Sequence, residues 1–532
     1  MSARTPPAKT RIMQKFLLLV GSALLALSAC SVNPVTGDRS LQIYGSEWEQ
    51  QVGARMYAPM KQSQGGEFIL DPDLSAYVRE VGDSLAARAR RGDAFNYEFS
   101  IINDSTPNAW ALPGGKIVVN RGLLVELDSE AELAAVLGHE IVHADAAHGA
   151  RAQSKGMLTQ LGAVAGMMVL GSTIESAAAR DVAMMVPQLG AQLLTQKYGR
   201  DAEREADEYG MRYMAEAGYD PQGAVDLQKT FLQLSEARDP DWLSGLFASH
   251  PPSRERLANN RETAASIGVD GERGEARYQR ATAYLRRVQP AYDAYDEATQ
   301  AEREGRSAQA QQLLDRAMAI EPRESLFHAL QGDLYAKEDR KRQALAAYEQ
   351  AVARNPDLFY GHLRKGQMEY ELNRRTAAQR SLDRSVELLP TGEAHYLLGL
   401  MAKEQGRVPS ALEHFEIAAQ AESETGRKAR REMALLELAD NPSRYIEVQA
   451  AVDRSNAVWA VVSNHTAVAV RDIRLRHAWL DEQGRSREGS VTLEGPLAAG
   501  AREQVPLDIR LNSAEELSRR VRVEVAAARV AE

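Results

Sequence analysis

The stretch that decides the reading is Val136-Leu137-Gly138-His139-Glu140-Ile141-Val142-His143. Leu133, Val136, Leu137, Ile141 and Val142 recur at helical spacing, which predicts a helix. His139 and His143 are four residues apart, so both imidazoles lie on one face, about one turn from each other. That geometry lets both bind one metal ion. Glu140, beside the first, can reach a water on that ion, take its proton and pass it to a leaving amine. Zinc suits this chemistry, because it brings the pKa of such a water toward ~7 and polarises a carbonyl. One zinc ion per chain is therefore the expected cofactor. With 10 histidines in 532 residues, a chance His-Glu-x-x-His arises on the order of a per cent of the time. The run needs further ligands before it carries chemistry.

A catalytic zinc takes a third protein ligand and keeps one position open. The candidate, Glu203-Arg204-Glu205-Ala206-Asp207, lies about 60 residues on. Ala202, Ala206, Tyr209 and Tyr213 mark the buried side of that helix. Glu203 and Asp207 share one flank and Glu205 lies on the other, so helical geometry leaves Glu203 and Glu205 both open as the ligand. Standing alone, the segment reads as a solvated acidic face.

Toward the N-terminus, Arg4, Lys9, Arg11 and Lys15 precede an apolar run from Phe16 to Leu27, and Leu27-Ser28-Ala29-Cys30 follows. This is the layout of a secretory signal, too short to favour a spanning helix. Cys30 is the chain's one cysteine, so no disulfide forms within the chain. The Leu-Ser-Ala-Cys end resembles a bacterial lipobox, which implies lipidation of Cys30. Ser31 follows with no Asp, which by resemblance implies the outer membrane, with lipid chains supplying the membrane affinity. Residues 31–50 read as a tether, with turn chemistry in Asn33-Pro34-Val35-Thr36-Gly37.

From about Trp48 to Gly268 the pattern is mostly helical, with strand-like runs at 97–102 and 117–120 around Pro107 and Pro113-Gly114-Gly115. Residues 157–172 are apolar and rich in Gly, Ala and Met, and Met184, Met185, Leu193 and Leu194 continue that character. The run at 157–170 falls short of the ~20 residues a span needs, so it reads as a helix or lid. Further on, Pro322, Pro356 and Pro390 recur every 34 residues. Ala310, Ala344 and Ala378 keep the same step, as do Leu314, Tyr348 and Leu382. Gly332 and Gly366 match, and Gly399 follows after a one-residue deletion. That is the tetratricopeptide period, whose helix pairs stack into a binding solenoid. After about Asn441, β-branched stretches between Asn464, Gly484, Gly489 and Gly500 predict a small all-β domain.

The expected organisation is mainly α. A lipoprotein signal segment (1–30) leads into a zincin-type α+β metallopeptidase domain (31–275). An α-solenoid of tetratricopeptide repeats (285–435) and a β-sandwich-like domain (441–532) follow. The net charge of −10, with no dominant basic block, argues against nucleic acid as a partner.

The pairing of the His139 run with Glu203-x-Glu205-Ala206-Asp207 resembles the HtpX, Oma and CaaX-prenyl type of zinc endopeptidase. Asn33 to Gly37 and Asn108-Ala109-Trp110-Ala111-Leu112-Pro113-Gly114-Gly115 are similar to that family too. The added repeats resemble its BepA-like branch. The resemblance implies His139, His143 and Glu203 as metal ligands. It implies Glu140 as general base, and Asp207 beside the site as proton donor or ligand-orienting carboxylate. It also implies an edge strand at 108–120 that takes extended substrate. His250, before Pro251-Pro252, matches a family His-Pro and is a candidate fourth ligand that holds the site latent. His148 reads as helix-end surface. The function implied is a periplasmic endopeptidase on the outer membrane that clears misfolded or stalled envelope proteins, with the repeats recruiting clients or the outer-membrane assembly machinery. The rivals are an assembly scaffold with latent peptidase activity and a repeat adaptor with a dead peptidase domain.

Overall fold

The structure, a computed structural model, describes residues 30–156, 198–237, 250–481 and 483–531. The signal run and the apolar segment from 157, with Met184, Met185, Leu193 and Leu194, lie outside the described residues. The chain divides into two compact units, Met1–Leu358 and Phe359–Glu532. Among the described residues no helix is long and apolar enough to cross a membrane.

The first unit opens on a hairpin of β1 (Cys30–Val32) and β2 (Arg39–Leu41). Its turn is closed by Asn33 N–H donating to Asp38 O at 2.7 Å, while Asn33 Oδ1 accepts from Val35 N–H at 3.0 Å. Asn33 and Val35 are buried, and Val35 joins the main core. The expected tether is therefore corrected: this stretch is packed onto the body, because a short polar turn satisfies its own backbone and leaves Val35 free to enter the core.

Helices α1 (Ser46–Ser63) and α2 (Pro72–Ala86) follow, α2 capped by Asp71 with Pro72 at its first position. A mixed sheet comes next, β3 (Glu98–Ile102), β4 (Ala109–Leu112) and β5 (Lys116–Asn120), in the order β3-β5-β4. The strand-like runs predict β3 and β5, and β4 falls within the edge strand at 108–120 that the resemblance implies. Gly114 and Gly115 turn β4 into β5 at φ +82 each, and a Cβ on Gly114 would sit 2.9 Å from the Gln50 backbone.

Helix α3 (Glu130–Asp145) carries His139, Glu140 and His143, and every residue of it is buried. Ser129 caps it by accepting from Glu132 N–H at 3.2 Å, and Glu132 reaches back to Asp128 N–H at 3.1 Å. Helices α4 (Arg200–Glu216) and α5 (Gln222–Ala237) pack on it, and α6 (Arg254–Ile267) packs on those two. Gly138 on α3 meets Gly210 on α4, where a Cβ on either would lie 3.1 Å from the other's backbone. This close crossing brings the acidic face of α4 to the two histidines.

Helix pairs then begin: α7 (Ala283–Arg303) with α8 (Ser307–Ile320), and α9 (Ser325–Lys337) with α10 (Lys341–Arg354). The second unit continues with α11 (Phe359–Glu371), α12 (Arg375–Leu388), α13 (Gly392–Glu404), α14 (Val408–Ala419) and α15 (Glu424–Glu437). The second helices of successive pairs start at residues 307, 341, 375 and 408, which reproduces the 34-residue step and its one-residue deletion. Each pair turns through one left-handed residue, at Gly305, Asp339, Asn373 and Gly406, the residue types that tolerate it. Gly332 packs on the Tyr348 ring, Gly366 on Leu382 and Gly399 on Phe415. Those are the small and large positions of the repeat.

The chain ends in two antiparallel three-stranded sheets. One holds β6 (Ile446–Val452), β7 (Ala457–Asn464) and β10 (Arg502–Arg510), and the other holds β8 (Val470–Leu480), β9 (Ser486–Thr492) and β11 (Val521–Val530). Their inward residues share one core, including Val462, Leu475, Leu507 and Val525.

Candidate metal centre

His139, His143, Glu203 and His250 converge so that one ligand atom from each lies within 4.8 Å of all the others. His139 Nε2 faces His143 Nε2 at 3.0 Å and His250 Nδ1 at 3.2 Å. Glu203 Oε1 lies 2.9 Å from His250 Nδ1 and 3.4 Å from His143 Nε2, and Glu203 Oε2 lies 3.6 Å from His139 Nε2. Ligand atoms ~2.0–2.1 Å from a tetrahedral ion are about 3.3–3.4 Å apart. The four groups are buried and present three imidazole nitrogens and a carboxylate at about that spacing, so they fit a metal ion. Of the two acids the helix left open, Glu203 enters the cluster. Glu140 is buried beside it, with Oε1 3.7 Å from His250 Nε2.

Asp207 lies behind His139, with Oδ1 3.0 Å from Nδ1. Arg256, which the sequence reading missed, clamps the acids from α6. It donates from Nε and Nη2 to Asp207 at 2.8 and 2.7 Å and lies 3.0 Å from Glu203 Oε2 through Nη1. Burial works to raise the Asp207 carboxyl, but the Arg256 charge and the bonds from His139 and Arg256 outweigh it and hold the carboxyl low. Ser253 starts α6 by accepting from Arg256 N–H at 3.1 Å, which points this residue back at the site.

The other side corrects a second expectation. His148 is buried, not surface, and its Nδ1 lies 2.8 Å from His143 Nδ1. The helix breaks at Ala147, which takes a left-handed φ of 55°, and helical residues resume at 148. That break turns His148 back onto the outer nitrogen of His143. Glu205, on the opposite flank of α4, lies 3.4 Å from His148 Nε2. Tyr198 stacks on His143 with ring centroids 4.0 Å apart.

An apolar cavity lined by Val136, Met211, Met214, Leu227 and Phe231 opens beside His139 and Glu140, with Ala109 of β4 on its wall. Among the described residues, β4 is an edge strand, paired with β5 alone.

With the geometry in place, comparison with known proteins is informative. Residues 72–264 match the model of Peptidase family M48, a span that includes the whole cluster and Arg256. A putative beta-barrel assembly-enhancing protease of Vibrio cholerae is 32% identical over 201 residues, covering 37% of this chain and 40% of that one. The Escherichia coli K12 beta-barrel assembly-enhancing protease is 32% identical over 212 residues, with 37% and 40% covered. The match thus spans about 40% of the length of these two relatives. The metalloprotease YcaL of Escherichia coli K12 is 30% identical over 195 residues, covering 36% of this chain and 69% of that one. The chain belongs to peptidase family M48.

Proposed function

We propose that the protein is a zinc-dependent endopeptidase of the bacterial cell envelope. The observation that carries this is the set of four buried ligand atoms within 4.8 Å, with Glu140 at their side. His139, His143 and Glu203 are the proposed resident ligands. Zinc, when bound, supplies Lewis acidity toward a peptide carbonyl and acidifies an attacking water. Glu140 accepts that water's proton on a carboxylate oxygen and returns it to the departing amide nitrogen, as the new C–O bond forms and the C–N bond breaks. Asp207 is proposed to orient His139 through Nδ1, fixing the nitrogen that faces the cluster. The outer edge of β4, unpaired among the described residues, takes an extended substrate by backbone hydrogen bonds, and the apolar cavity receives one of its side chains.

His250 fills the fourth direction of the cluster. A catalytic site needs that direction open. This observation favours a second element of the proposal: His250 holds the peptidase latent until it withdraws. The signal layout, Cys30 and the names of the relatives support an anchored periplasmic protein. In that reading lipid on Cys30 holds it to the outer membrane, and the repeats recruit unfolded clients or assembly machinery. A scaffold role in outer-membrane protein assembly then accompanies a latent peptidase.

Cleavage of an unfolded protein, with and without chelator, by the parent and by Glu140→Gln tests the proposal. One zinc per chain, cleavage lost on chelation, and a fall of about 10²–10⁴-fold in Glu140→Gln with zinc retained is the expected result. Cleavage unaffected by both treatments refutes it.

A further inference from the structure

His143 has two ring nitrogens, and the cluster uses only Nε2. Its Nδ1 faces Nδ1 of His148 at 2.8 Å in a buried setting. Two like nitrogens at that distance share one hydrogen. A His143 that offers the lone pair of Nε2 to a metal carries its hydrogen on Nδ1, so His143 donates and His148 accepts. The hydrogen of His148 is then on Nε2, whose nearest acceptor among the described residues is Glu205 Oε1 at 3.4 Å.

Glu205 is held in turn. Asn33 Nδ2 donates to its Oε1 at 2.6 Å, and Arg151 Nη2 lies 3.4 Å from the same oxygen. Asn33 is itself fixed, because its Oδ1 accepts from Val35 N–H in the turn and its own N–H closes the hairpin. Which end of the Asn33 amide faces Glu205 is therefore determined by the turn.

We infer that Asn33, Glu205 and His148 are positioning residues for His143, so that the turn three residues after Cys30 is a working part of the metal centre. The chain of contacts runs Asn33 to Glu205 to His148 to His143. It is the counterpart of Asp207 behind His139, with a histidine interposed because the acid comes from the far flank of α4. Docking the N-terminal hairpin and retaining the metal are coupled through it. Lifting the hairpin off removes the 2.6 Å donor and frees Glu205 to swing from His148.

The inference rests on the cluster holding a metal. Its test uses the full chain and reads zinc affinity by competition with a chromophoric chelator, together with the visible spectrum of the cobalt(II) form. His148→Ala removes the acceptor for His143, and His148→Asn keeps an oxygen near the same place. Asn33→Asp keeps the turn acceptor but loses the donor to Glu205. The expected weakening of zinc binding is about 10–100-fold in His148→Ala, largely restored in His148→Asn, and about 3–10-fold in Asn33→Asp. An altered cobalt spectrum is expected in His148→Ala and Asn33→Asp. A parent that binds one zinc per chain, with variants within about twofold of it and spectra unchanged, overturns the inference. A parent that binds no zinc overturns the reading of the cluster instead. Should His148→Ala not fold, the Asn33→Asp arm decides by itself.

Discussion

Arg256 is the residue on which the charge balance of the site most depends. Its guanidinium is buried between Asp207 and Glu203, whose side chains are 9% and 6% exposed. Arg256→Met keeps the aliphatic stem and removes the charge. In the metal-free protein this leaves two buried carboxylates short of a cation, with histidine donors facing them among the described residues. Removing one partner of a buried pair costs about 3–5 kcal/mol, and that is the expected loss. In the zinc-loaded protein the ion meets the Glu203 charge, and Asp207 alone is stranded. One ion-pair contact fewer, Arg256 Nη1 to Glu203 Oε2, is then at stake, so the loss is smaller than in the metal-free protein. Hydrogen exchange of the α3 amides reads both values as changes in local opening free energy, without needing the whole chain to unfold in one step. Arg256→Lys is expected to fall between, because one ammonium cannot fork across both acids. A loss below about 1 kcal/mol in the metal-free protein, or the same loss with and without zinc, refutes the assignment.

His250→Ala is expected to raise cleavage of an unfolded substrate at saturating zinc while zinc affinity falls; lower activity with unchanged metal binding counts against a latching role. Gly210→Ala drives a Cβ to 3.1 Å from the α3 backbone and is expected to cost about 1–3 kcal/mol, read by the same α3 exchange. In the second unit, the Asp453 carboxylate accepts from Ser455 N–H and Oγ, Ala457 N–H and Trp459 Nε1, and these bonds lower its pKa from 3.8 to about 2. A depressed carboxyl gives stability that is present above pH ~4 and lost as pH falls through about 2. The advantage of the parent over Asp453→Asn in exchange of the β6–β7 hairpin should therefore shrink from about pH 4 downward and vanish below about pH 2, and a gap that is undiminished below about pH 2 speaks against the carboxylate as its source.

The helix carrying His139 and His143 was legible because ligand spacing and apolar spacing share one period. The repeats were legible because Gly332 against Tyr348, and its two successors, mark tight contacts at a fixed step. Glu203 could not be told from Glu205 on the wheel, since both flanks of α4 face histidines: one meets the cluster and the other meets His148. His148 was misread because a continued helix would carry it away from His143, and the left-handed Ala147 leaves no mark in composition. Arg256 had no local signature, its acids lying 49 and 53 positions earlier in sequence. Strands β1 and β2 are three residues each, too short to leave an alternation. The resemblance supplied what periodicity did not, the choice of Glu203 over Glu205 and the placing of His250 at the cluster.

If Cys30 carries the proposed lipid, the docked hairpin also sets how far the protein can roam. With the lipid proposed on Cys30, only two or three residues separate the acyl chains from Asn33, and such a stretch spans about 10 Å even when extended. In that proposed state there would be no leash: the peptidase unit would ride flush with the bilayer surface and patrol in two dimensions, and clients would have to come within a molecular diameter of the membrane to be cut.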